Sequence, residues 1–132
     1  MKSFRVSFMS VFFSTLWIIL SEFVRNELLF KSYWLEHYKT LGIVFPSATI
    51  NNMIWGVWSL LFAVIIHIIM KKFSFIQSCV IAWLFGFVLM WLVIGNLGVL
   101  PVKILVFAVP LSLLEIFGAC WINQKLSNGT IK

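Results

Sequence analysis

Only four of the 132 residues are acidic, and one of them, Glu115, stands alone inside a long apolar run. A carboxyl group in such surroundings can carry a proton, pair with a cation, or tie neighbouring helices together by hydrogen bonds. Left ionised and unpaired in hydrocarbon it costs roughly 2.5 to 3.5 kcal/mol on insertion scales. A second set of polar side chains, Glu22, Arg25, Asn26, Asn51, Asn52 and Asn96, falls near the ends of the apolar runs. Glu22 and Arg25 are three apart and Glu22 and Asn26 four apart, so a helix sets all three on one face. They read either as a polar rim with one ion pair or as a vestibule that admits a polar ligand or a lipid headgroup. His67 lies one turn before Lys71 and is expected to reach headgroups or a backbone carbonyl, with proton relay open to it only through water.

No GxSxG elbow, HExxH, phosphate-cradling glycine loop or redox cysteine pair occurs in the chain. Hydrolase, zinc-protease, nucleotide-driven and thiol-redox chemistry therefore lack their parts. No catalytic residue, cofactor-binding set or metal-ligand set is assigned. Cys79 and Cys120 sit singly within apolar segments and read as small packing residues.

The elements that must position these groups follow from composition. With 62% hydrophobic and 11% charged residues and a mean hydropathy of +1.06, the chain lies outside what a water-exposed surface tolerates. The net charge of +6 is spread over ten basic residues that stand singly or in pairs and form no stripe or arm for nucleic acid. Membrane lipids with anionic headgroups are the expected counterpart.

Four spans are expected at about residues 4–24, 46–70, 74–97 and 101–121, each long enough for roughly 30 Å of hydrocarbon. The fold class is all-α, a single four-span membrane domain over residues 1–132 built as a helix bundle. Lys2 and Arg5 before an apolar run resemble a secretory signal, but no small-residue cleavage site follows, so the run is read as the first span. Pro46 suits the first turn of the second span. Ser74 with Gln77 forms a capping-box pattern that opens the third, and Gly98 and Pro101 end it. Pro110 should kink or locally unwind the fourth span. A polar tail, Asn123 to Lys132, follows.

Lys2, Arg5, Lys71, Lys72, Lys125 and Lys132 fall on one side, against Arg25, Lys31, Lys39 and Lys103 on the other. This bias predicts both termini in the cytoplasm, and the expected location is the inner (cytoplasmic) membrane, as a multi-pass protein. In the first loop Phe30, Tyr33, Trp34, His37, Tyr38 and Leu41 recur at helical spacing, which predicts a short interfacial helix with its rings at headgroup level.

Helices in lipid pack through small residues and hydroxyls. Such stripes are Ser7, Ser10, Ser14 and Ser21 in the first span, then Asn52, Gly56, Ser59 and Ala63 in the second. The third span has Ser78, Ala82 and Gly86, and the fourth has Ala108, Ser112, Glu115 and Ala119. The last stripe sets Glu115 on the packing face. Counting from Pro101, it lies about 21 Å along its helix at 1.5 Å per residue. At that depth the expected partners of a neutral Glu115 are Ser10, Ser14, Ser59 or the Trp83 indole, with no lysine or arginine at the same level.

Size, four spans and one buried glutamate make the chain similar to the small multidrug-resistance transporters. That resemblance implies a dimer exchanging protons for cations at an intramembrane glutamate. The family's essential glutamate lies in its first helix, whereas Glu115 is in the fourth. The chain also resembles small bacterial four-helix inner-membrane proteins of unassigned function, through Asn26, Glu27, Leu28, Leu29 and Phe30, then Trp34 and Gly42, and Trp83, Phe85, Gly86 and Phe87 in the third span. Three readings stand. The first is a non-catalytic accessory or lipid-interacting bundle, as a homodimer or part of a larger membrane complex. The second is a small proton-coupled transporter using Glu115, and the third a membrane-embedded lipid-modifying enzyme built on the outer polar cluster.

Overall fold

The computed structural model describes residues 2–128, and every element in it is helical. The rest of the polar tail, including the Lys132 of the charge count, lies outside the described residues. Four helical stretches are long and apolar enough to cross a membrane: Ser3–Leu29, Thr49–Met70, Phe75–Asn96 and Val102–Ser127. Helices suit this composition because each closes its backbone hydrogen bonds within itself, leaving none to be met by lipid.

Helix α1 (Lys2–Phe23) runs on through a wider π turn at Val24–Leu29. Helix α2 (Lys31–Thr40) occupies the first loop and α3 spans Thr49–Met70. Helix α4 (Phe75–Trp83) passes through a second π turn, Leu84–Val88, into α5 (Leu89–Asn96). A 3-10 turn, Val102–Ile104, leads into α6 (Leu105–Asn128). Pro46 precedes α3 rather than opening it, since Ala48, in extended backbone, is the residue before the first turn.

The helix ends are set by local chemistry. At Ser74 the expected box is complete: Gln77 N–H donates to Ser74 Oγ at 3.4 Å and Ser74 N–H donates to Gln77 Oε1 at 3.1 Å. Ser74→Ala should therefore lower thermal stability in detergent by about 1 kcal/mol. An unchanged melting curve would show that the α3–α4 turn is held without the cap. Gly42 and Gly98 have φ of 70° and 74°, a region that favours glycine, and each follows a helix. Ile43 N–H reaches Tyr38 O and Val99 N–H reaches Ile94 O, both at 3.1 Å, so α2 and α5 both end in the same left-handed cap. His37 Nε2 lies 2.8 Å from the Gly98 carbonyl and donates to it, fastening α2 to the α5–α6 turn.

Helix α6 packs against α1, α3 and α4, and α1 against α3. The main core joins Ile18, Phe62, Ala63, Ile66, Phe87 and Ile116. A smaller one beneath α2 joins Phe30, Leu100, Ile104 and Ala108. Large apolar side chains such as Phe4, Val44, Val106 and Leu114 face outward, as expected where lipid is the solvent.

The small-residue stripes face inward on α6, where Ala108, Ser112, Glu115 and Ala119 are all buried. On α3 only half the stripe does so. Ser59 and Ala63 are buried, while Asn52 is exposed and nothing stands within 4 Å of where a Gly56 side chain would begin. No neighbouring helix covers that half of α3 closely. Helix α6 runs unbroken through Pro110, so of the expected kink or local unwinding the helix does not unwind. The ring is exposed, so it leaves the packing face undisturbed.

The first-loop stripe divides between two roles. Phe30 is buried in the smaller core, Trp34 packs against it, and His37 is tied to Gly98. Tyr33 and Leu41 stay exposed. Half of the stripe therefore holds the loop onto the bundle, where the sequence suggests a row of rings at headgroup level.

Candidate functional site

Glu115 has a cationic partner. Arg25 Nη1 donates to Glu115 Oε2 at 3.0 Å, and Arg25 Nη2 donates to Glu22 Oε1. All three are enclosed, with Glu115 1% and both Glu22 and Arg25 6% exposed. The Arg25 guanidinium stands over the Phe87 ring, 4.8 Å from its centroid, so its free face meets an aromatic quadrupole instead of water. The expectation that no basic residue matches the depth of Glu115 is corrected here, and the reason is geometric.

Trp17 Nε1 donates to the Glu115 carbonyl at 2.8 Å and Ser14 Oγ to the Ala119 carbonyl at 3.2 Å. Helices α1 and α6 are thus antiparallel, with Trp17 level with Glu115. Arg25 lies about 12 Å further along α1 by backbone rise. Side chains on a helix tilt toward its N-terminus. On antiparallel neighbours that tilt carries Arg25 and Glu115 toward each other, and the long guanidinium stem closes the gap.

Both π turns converge on this place. The turn Val24–Leu29 carries Arg25, and Leu84–Val88 carries Phe87. An i→i+5 turn fits an extra residue into the helix and re-aims its side chains. Neither turn has a sequence signature that separates it from an ordinary helix, so this part of the geometry could not be read in advance.

The polar contacts extend outward in a chain. Asn26 Nδ2 donates to Glu22 Oε2 at 2.8 Å, and Trp34 Nε1 donates to Asn26 Oδ1 at 3.3 Å. Five side chains, Trp34, Asn26, Glu22, Arg25 and Glu115, thus connect α2 to the middle of α6 through successive hydrogen bonds. Glu22, Arg25 and Asn26 share one face as the spacing indicates. Asn51, Asn52 and Asn96 do not join them: Asn51 is half-buried, Asn52 and Asn96 are exposed, and no side-chain hydrogen bond links them to the row.

The other expected partners of Glu115 are engaged elsewhere. Ser59 Oγ donates to the Trp55 carbonyl at 2.8 Å, Trp83 Nε1 to Ser112 Oγ at 2.9 Å, and Ser10 Oγ is 3.4 Å from Ser127 Oγ. Glu115 Oε1 is buried and has no hydrogen-bond partner.

His67 belongs to a separate cluster. It is buried, with Nδ1 2.9 Å from Asn123 Oδ1 and Nε2 3.0 Å from Ser7 Oγ. This replaces the expected reach to headgroups or a backbone carbonyl: Ser7 and Asn123 come close enough on α1 and α6 to meet both ring nitrogens. Asn123 was legible only as the start of a polar tail. Its spacing of four from Ala119 continues the buried stripe of α6, and that is the signal by which it could have been found.

Comparison with family models, with curated proteins and with solved structures gives no match.

Proposed function

We propose that this chain is a non-catalytic, multi-pass protein of the inner (cytoplasmic) membrane, an accessory or lipid-interacting bundle in which the Glu22–Arg25–Glu115 triad fastens the first span to the last. The carrying observation is that the carboxylate of Glu115 is met by a buried guanidinium that itself rests on Glu22 and Phe87. A buried charge answered in this way serves to hold one arrangement of helices. Both termini are assigned to the cytoplasm. With Arg25 turned into the bundle, only Lys31, Lys39 and Lys103 remain at the α2 end, against Lys2, Arg5, Lys71, Lys72, Lys125 and Lys132, which strengthens the charge bias. On this reading α2 lies at the outer interface, and the partners are lipids, a second copy of the chain or a larger membrane complex.

A proton-coupled transporter is the second reading. It draws on the presence of two carboxylates for one guanidinium and on the unpartnered Glu115 Oε1, an arrangement with room for one proton. The two readings part in liposomes loaded with a pH-sensitive dye. A fastening role predicts the same proton permeability for wild type and Glu115→Gln. A proton flux present in wild type and abolished in Glu115→Gln would replace the first reading with the second.

A further inference from the structure

At the opposite end of the bundle, where α1 begins and α3 ends, α1, α3 and α6 and the α3–α4 turn enclose a cavity of about 380 Å³. The residues that line it include Ser3, Ser7, Ser74 and Ser127, with Lys71 and Asn123. Asn123 is 1% exposed, and its Nδ2 has no hydrogen-bond partner. Its Oδ1 is occupied by His67, so the unmet group of this lining residue is a buried donor. Ser3, Lys71 and Ser74 are exposed, which opens the cavity to the surface. The N-terminus of α4 borders it at Ser74 and Phe75 and adds the positive end of a helix dipole.

Among the described residues, the charged side chains at this end are all basic. The four acidic residues of the chain are Glu22, Glu27, Glu36 and Glu115, and none lies in the segments that form this end, whereas Arg5, Lys71, Lys72 and Lys125 do. Hydroxyl, amide and ammonium groups from several elements, with no Asp or Glu side chain beside them among the described residues, suit an anion of several oxygens. The cavity volume falls in the range of small-ligand sites.

We infer that this cavity is a phosphoryl-binding site, filled by the phosphate of an anionic lipid headgroup or by free phosphate, with Lys71 and Asn123 as its principal donors. It shares no residue with the Glu22–Arg25–Glu115 triad, so its test is independent of the role given to Glu115.

The test uses the full-length protein in detergent, followed by native mass spectrometry with added phosphatidic acid, phosphatidylcholine or inorganic phosphate. Phosphatidic acid should be retained over phosphatidylcholine. Retention should fall about tenfold in Lys71→Gln and in Asn123→Leu, the usual scale for losing one charge-assisted or buried hydrogen bond. Lys72→Gln removes an equal charge from a neighbouring exposed position outside the cavity wall and should leave retention unchanged. Lys71 is exposed, so its variant tests the site even if Asn123→Leu fails to fold. Competition by inorganic phosphate, or stabilisation by phosphate alone, identifies free phosphate as the source, and retention indifferent to it identifies the headgroup. Absence of binding to either probe, or equal losses in Lys71→Gln and Lys72→Gln, overturns the proposal.

Discussion

Arg25→Leu is expected to destabilise the bundle by about 3–5 kcal/mol, the usual scale for removing one partner of a buried ion pair, whereas Glu115→Gln should cost about 1–3 kcal/mol. The asymmetry follows from the geometry. Without the guanidinium, Glu115 and Glu22 are left as two acids with no cation between them, Glu115 with Oε1 already unpartnered. Without the Glu115 charge, the Arg25–Glu22 pair survives, and a glutamine carbonyl can still accept from Arg25. Replacing Glu22, Arg25 and Glu115 together by leucine should recover much of the loss, because no buried charge then lacks a partner. Arg25→Lys should rescue only in part, since one ammonium does not reproduce the fork that reaches two carboxylates from over the Phe87 ring. Denaturant titration in mixed micelles, read by tryptophan fluorescence, gives the order. Equal stability of Arg25→Leu and Glu115→Gln would show that the triad fastens nothing.

The second large effect is steric, with Gly118→Ala and Gly86→Ala each expected to cost about 1–3 kcal/mol through overpacking. A Cβ at Gly118 would stand 2.5 Å from the Trp17 indole, and one at Gly86 2.3 Å from the Phe62 ring. Neither ring can yield freely. Trp17 is anchored by its N–H on the Glu115 carbonyl, and Phe62 is wedged between Trp58 and Phe87. Gly118→Ala should also release the Trp17 indole from its carbonyl and alter the emission of that ring. Gly56→Ala is the matched control, because nothing lies within 4 Å of its added methyl. There the better helix propensity of alanine should leave stability unchanged or raise it by up to about 1 kcal/mol. Melting curves that rank Gly56→Ala with the other two would mean that close approach is not what selects glycine at positions 86 and 118.

Much of the architecture was legible without coordinates because it rests on local rules. Long apolar runs become helices wherever backbone polar groups have no water to meet. Ser74 with Gln77 opens a helix by satisfying its own first donors, and Gly98 ends one by adopting a positive φ. The facing of Ala108, Ser112, Glu115 and Ala119 into the bundle follows from helical spacing alone, as does the grouping of Glu22, Arg25 and Asn26. The uncovered half of the α3 stripe shows the limit of that rule: spacing defines a face, but only a neighbour at the right distance turns it into an interface.

What the sequence by itself determined, then, is the number of long apolar helices, their approximate ends, and the face on which the lone carboxylate sits. Tertiary structure alone decided the company of that carboxylate. Backbone rise places Cα atoms in depth, but the meeting of Arg25 with Glu115 depends on three further things. Helices α1 and α6 must be antiparallel neighbours, both side chains must tilt toward each other along them, and a π turn must aim the guanidinium inward. The burial of Asn123 beside His67 has the same origin. Such long-range pairings depend on which helices adjoin, and that is settled by the packing of the whole bundle, not by the spacing within any one span.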